Sequence, residues 1–153
     1  MSYLEPLKQL DKLYQFQDKP ILLGGGAMEY YDLRKTGHDL DIMISQRDKI
    51  EIQKLGYELN LFGGKTEKEV DATFTNIANT HIDLVITLNQ YDYSFFLDRA
   101  TLFSGRQDLL VISLEDLLMT KVFAQKYDTR TKHQKDIDLI ILGIEKQQYY
   151  IPV

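Results

Sequence analysis

The chain has 153 residues, a length that predicts one compact domain, and no cysteine, which excludes a disulfide scaffold, thiolate catalysis and cysteine-ligated metals. With 23 acidic residues against 18 basic ones its formal charge is -5, which argues against a general nucleic-acid coat, although a local basic patch remains compatible. No apolar run is long enough to span a bilayer and the start MSYLEPLKQLDK lacks a signal-peptide core, so a cytoplasmic protein without a membrane partner is expected.

Leu4, Leu7, Leu10 and Leu13 recur at helical spacing and predict a helix over 3–16. Pro20 to Leu23 is a short apolar run ending in Gly24-Gly25-Gly26, which predicts a buried strand and a tight turn, with a short helix over 27–32 after it. Asp39 to Ile44 alternates as a strand. Ser45 followed three residues later by Asp48 predicts a capped helix running to Leu55, with Gly56 ending it. Strand-like runs at 57–62 and 70–76 flank Gly63-Gly64-Lys65 and predict a hairpin, and 80–87 is a further strand. After a less regular aromatic stretch, short strands are expected at 101–103 and 109–112. Ser113 with Asp116 caps a helix to about 127, and a last helix covers 133–143. The fold class expected is α/β (α+β): a mixed sheet flanked by helices, with a core over 20–112 and a helical part over 113–150.

The strand period of two puts Leu40, Ile42 and Ile44 on one face and Asp39 and Asp41 on the other. Aspartate is a poor strand former, and two on one face repel each other. A divalent cation offsets that repulsion, and Mg²⁺ prefers one or two carboxylates together with substrate phosphates. Asp83 stands among Ile82, Leu84 and Ile86 in a second apolar strand, facing the other way. Should the two strands be neighbours, three carboxylates converge, enough for a two-metal site that bridges attacking and leaving oxygens of a phosphoryl group. The plainer alternative is that these aspartates decorate solvent faces. The glycine run just upstream favours the site, because glycines let backbone approach a phosphate closely. Two other motifs fail: Gly64-Lys65-Thr66 resembles the end of a P-loop, but Leu59 occupies its first glycine position, and the run at Gly24 lacks the dinucleotide-binding spacing.

Leu22-Leu23-Gly24-Gly25-Gly26-Ala27, then Arg34-Lys35-Thr36, then Asp39-Leu40-Asp41, resembles the nucleotidyltransferase superfamily of the DNA polymerase beta type, in its small bacterial variants. These include antibiotic nucleotidyltransferases and toxin–antitoxin components. Val111 to Leu118, Lys121, Ala124, Arg130, Lys135-Asp136 and Asp138-Leu139 look like the helical tail of those relatives, so the resemblance runs from about residue 20 to 142. It implies that the Gly24-Gly25 backbone cradles phosphates. It also implies that Asp39 and Asp41 bind Mg²⁺, and that Asp83 holds a second metal or acts as base. Arg34, Thr36 and Lys121 would contact the triphosphate. The implied reaction transfers a nucleoside monophosphate from an NTP to a hydroxyl of a small molecule, a tRNA or a protein, releasing pyrophosphate. The alternative is a fold that has lost turnover, such as a toxin–antitoxin partner. A homodimer or partner protein would supply what a single small domain lacks. Two departures are the extra His38 before the acidic pair and a glycine run three residues long.

His38, His81 and His133 have no metal-site spacing, although His81 shares a strand face with Asp83. Arg130, Lys132 and Lys135 form a small basic cluster that reads as solvent-facing charge. Tyr91, Tyr93, Phe95 and Phe96 suit an acceptor pocket, a stacking platform or plain core.

Overall fold

The computed structural model describes residues 3–62, 72–77, 80–126 and 130–149. Their strands are β1 (Ile21–Leu22), β2 (Leu40–Met43), β3 (Asn60–Phe62), β4 (Ala72–Asn76), β5 (Ile82–Leu88), β6 (Tyr91–Asp92), β7 (Thr101–Leu102) and β8 (Leu110–Val111). They form one mixed sheet in the order β3-β4-β5-β2-β1-β8-β7, with β6 paired to β5. The helices are α1 (Glu5–Asp11), α2 (Gly24–Tyr30), α3 (Gln46–Lys54), α4 (Tyr93–Leu97), α5 (Leu114–Gln125) and α6 (Thr131–Tyr149). Among the described residues no helix is long and apolar enough to cross a membrane.

Alternation along the central strands divides the apolar side chains between two cores. Leu40, Ile42, Ile44, Ile82, Leu84 and Ile86 face Leu7 and Leu10 of α1 and Ile52 of α3. Met43 and Val85 point the other way, into a core with Met28 of α2, Phe96 of α4, Leu117 of α5 and Ile140 of α6. Asp41 and Asp83 belong by period to this second face, so the carboxylates lie on the side covered by α5 and α6.

Ser45 and Ser113 both cap as expected, each side chain accepting from the backbone N–H three residues on. Helix α3 is followed by Gly56 at φ +95. Strands β3 and β4 pair antiparallel, and their Gly63-Gly64-Lys65 connection lies outside the described residues.

Several boundaries differ from expectation. Helix α1 ends at Asp11, and the N–H groups of Leu13 and Tyr14 both donate to the Leu10 carbonyl. The chain is then gathered by the buried Asp48 carboxylate, which accepts from Tyr14 Oη and from the N–H groups of Gln17 and Asp18. The glycine run is the first turn of α2 and no loop before it, so that helix starts three residues early. The aromatic stretch is ordered as β6 and α4, capped by Asp92. Helix α6 extends beyond the expected 133–143 at both ends.

Candidate functional site

The backbone of β1 fixes the glycines over the acidic strand. Leu23 N–H donates to the Asp41 carbonyl at 2.9 Å, and the next residue, Gly24, opens α2 at φ +53. A Cβ on Gly24 would lie 2.6 Å from Asp41 Oδ2. Glycine is required there on two counts, the left-handed backbone and the carboxylate packed against it. Gly26 serves a different purpose, since its Cβ would meet Leu22 Cδ1 at 2.6 Å and seals helix against sheet.

Strands β2 and β5 are adjacent and parallel, with Asp41 opposite Asp83, while β4 places Asn76 on the far side of Asp83. Asn76 Nδ2 donates to the Asp83 carboxylate. Burial first, then the negative charge of Asp83 and a hydrogen bond to it, push the Asp41 carboxyl up to about 7, with Lys121 opposing. Burial raises Asp83 as well, against the hydrogen bonds from Asp41 and Asn76. Both carboxyls are therefore raised by burial, Asp41 further by the charge of Asp83 beside it, so the fully ionised pair is disfavoured. Asp39 is placed otherwise. It precedes β2, its side chain is 61% exposed, and its Oδ1 lies 3.5 Å from His81 Nδ1, an ion pair when the imidazole is protonated. The structure therefore brings Asp41 and Asp83 together and leaves Asp39 on the solvent side of them.

Arg34 and Lys121 meet through Asp136, which sequence analysis named only as part of the helical tail. Asp136 of α6, its side chain 5% exposed, accepts from Arg34 Nε at 2.6 Å and Nη2 at 2.8 Å, and pairs with Lys121 Nζ at 2.9 Å. Burial alone would raise this carboxyl, but the hydrogen bonds and charges of Arg34 and Lys121 outweigh it and bring it to about 2. Asp136 thus fixes one cation from the loop before β2 and another from α5. Thr36 is an internal tie: its N–H donates to Glu29 Oε1 at 2.7 Å and its hydroxyl to the Gly25 carbonyl at 3.2 Å. The loop carrying Arg34 is thereby fastened to the glycine turn.

These groups surround a cleft of about 500 Å³, with Gly25, Asp39 and Asp41 on its lining beside Arg34, Lys121, Lys132 and Lys135. Lys132 and Lys135 of the basic cluster are solvent-exposed, as expected, and stand at the rim of this cleft. One wall is acidic and the other cationic, which suits a ligand bearing phosphates and a cation together.

A hard cation fits the donor chemistry of Asp41 and Asp83, because both are oxygen donors on adjacent strands whose mutual repulsion a cation would offset. Among the described residues, no three His, Asp or Glu side chains are gathered into a ready-made metal site. A bound cation would complete its shell with substrate oxygens and water, as Mg²⁺ ordinarily does.

The aromatic residues divide. Tyr93 and Phe96 are core, with Tyr93 Oη donating to the Lys19 carbonyl at 2.7 Å. Tyr91 and Phe95 stack at 4.1 Å on the surface, with the Arg99 guanidinium 4.5 Å from the Phe95 ring centre. Asp136 was legible only as part of Lys135-Asp136 in a charged helix, because its partners lie far away in sequence. In comparisons with known proteins, no family model and no curated protein matches this chain.

Proposed function

We propose that this protein is a Mg²⁺-dependent nucleotidyltransferase acting in the cytoplasm. The observation that carries the reading is the Asp41–Asp83 pair on adjacent parallel strands, with Asp41 packed under Gly24 and lining a cleft that also carries Arg34, Lys121, Lys132 and Lys135. Mg²⁺ held by Asp41 and Asp83, with Asp39 at the open side, would neutralise charge on the reacting phosphate. Gly24 and Gly25 let the backbone approach that phosphate without a side chain in the way. Arg34 and Lys121, held by Asp136, bind and orient the remaining phosphates, and Lys132 and Lys135 extend the positive field outward.

In the transfer, the acceptor hydroxyl oxygen bonds to the α-phosphorus while the bond from that phosphorus to the bridging oxygen breaks. The electron pair leaves with pyrophosphate, and the acceptor proton passes to a carboxylate of the pair or to water. The acceptor is a small molecule, a tRNA or a protein hydroxyl, and a second copy or partner protein would help to hold a large one. Incubation with each labelled NTP, Mg²⁺ and a cell extract tests the reading. Label transfer with pyrophosphate release is expected. NTP binding with no transfer to any acceptor would favour a regulatory role, such as that of a toxin–antitoxin component.

A further inference from the structure

The cationic cleft has a smaller neighbour, and the two share Asp41 and Lys121 as lining. The second chamber, about 170 Å³, is walled by Leu23 and Gly24, by Val85 and Leu88 of β5, by Thr120 and Ala124 of α5, and by His133 of α6. Pockets that hold whole small ligands measure about 300–1,000 Å³. A chamber of about 170 Å³ therefore takes one ring or side group of a ligand whose remainder lies elsewhere. The adjoining cleft of about 500 Å³ is large enough for that remainder and is lined mostly by charged groups, Arg34, Lys121, Lys132 and Lys135 among them.

Resting on the nucleotidyltransferase reading, we propose that this chamber holds the heterocyclic base of the NTP while the triphosphate lies among the cations of the larger cleft. The order of parts along an NTP matches the order of the walls. With the base against Leu88 and Ala124 and the outer phosphates toward Lys132 and Lys135, the α-phosphate falls at the Asp41–Lys121 divide, where the transfer must occur. A base has apolar faces and a polar edge, and the chamber offers both kinds of surface. The Thr120 hydroxyl donates to the Leu117 carbonyl at 2.7 Å, so its proton is committed and its oxygen is left to accept. It reads a base edge that presents an N–H.

Equilibrium binding of inorganic tripolyphosphate and of each of the four NTPs, all with Mg²⁺, tests this on the wild type, Ala124→Leu and Thr120→Val. Leucine is a good helix former and fills the chamber from α5. Ala124→Leu should leave tripolyphosphate binding unchanged and weaken NTP binding about tenfold or more, the loss expected when a ring is denied its burial. Thr120→Val, which keeps the shape, should narrow the spread of affinities among the four NTPs. Unchanged NTP affinity in a folded Ala124→Leu, or an unchanged base preference in Thr120→Val, would overturn the proposal. Loss of transfer with NTP affinity intact would overturn it by assigning the chamber to the acceptor. Failure of the underlying reading looks different: the wild type would bind neither tripolyphosphate nor any NTP.

Discussion

The three consecutive glycines can be told apart by replacing each with alanine. At Gly24 the backbone lies at φ +53, and an alanine there costs about 1–2 kcal/mol from the left-handed conformation alone. Its Cβ would also stand 2.6 Å from Asp41 Oδ2, so the carboxylate has to shift from its present position. At about 2–4 °C per kcal/mol for a chain of this size, the melting temperature should fall by roughly 2–8 °C. Mg²⁺-dependent transfer should be lost beyond what that instability explains. Gly26→Ala meets Leu22 Cδ1 at 2.6 Å and Leu40 Cδ2 at 3.0 Å, so it overpacks the helix–sheet contact. It should cost about 1–3 kcal/mol of stability while the folded fraction still binds Mg²⁺. At Gly25→Ala the nearest atom is Arg34 Nη1, at 3.4 Å, with Gly37 and Thr36 backbone beyond 3.5 Å, so its stability should change least. Thermal unfolding and Mg²⁺ titration on the three variants separate the effects. Full Mg²⁺-dependent activity in Gly24→Ala would refute the packing argument for Asp41.

Asp136→Asn leaves Arg34 and Lys121 without their shared carboxylate. A carboxyl held at about 2 instead of its ordinary 3.8 contributes on the order of 2 kcal/mol. That stability is fully present above pH 4 and is lost as pH falls toward 2, so the wild type should show an acid-unfolding limb that Asp136→Asn lacks. Because the folded Asp41 carboxyl is raised to about 7, folding takes up a proton, and the apo protein should lose stability as pH rises from 4 to 7. The Mg²⁺-induced rise in melting temperature should grow over the same window, and a rise that shrinks with pH would contradict the raised Asp41 carboxyl. Thr36→Val removes the hydroxyl that holds the Gly25 carbonyl and should cost about 1 kcal/mol, read by urea unfolding.

The acidic strand was readable because alternation is local: Leu40 and Ile42 face one core, and Asp41 the other face, as their spacing requires. The serine caps were readable for the same reason, since Ser45 and Asp48, like Ser113 and Asp116, are three residues apart. The pairing of Asp41 with Asp83 depended on strand order, which sequence spacing does not encode. Asp136 was harder still, because its bond to Arg34 spans 102 residues and in sequence it is one more acid in a charged helix. The glycine run read as a loop because glycine disfavours helix. Close packing against Asp41 and Leu22 overrides that propensity. Asp39 looked equivalent to Asp41 by period, but the strand starts one residue later and leaves it at the rim.

The most direct measurement of the central claim is pyrophosphate release, with labelled NTP, Mg²⁺ and a cell extract, by the wild type and by Asp41→Asn. The account predicts Mg²⁺-dependent release by the wild type and none by a folded Asp41→Asn, whose apo form above pH 7 should be the more stable of the two because a buried charge has been removed. Equal release by both proteins would contradict it.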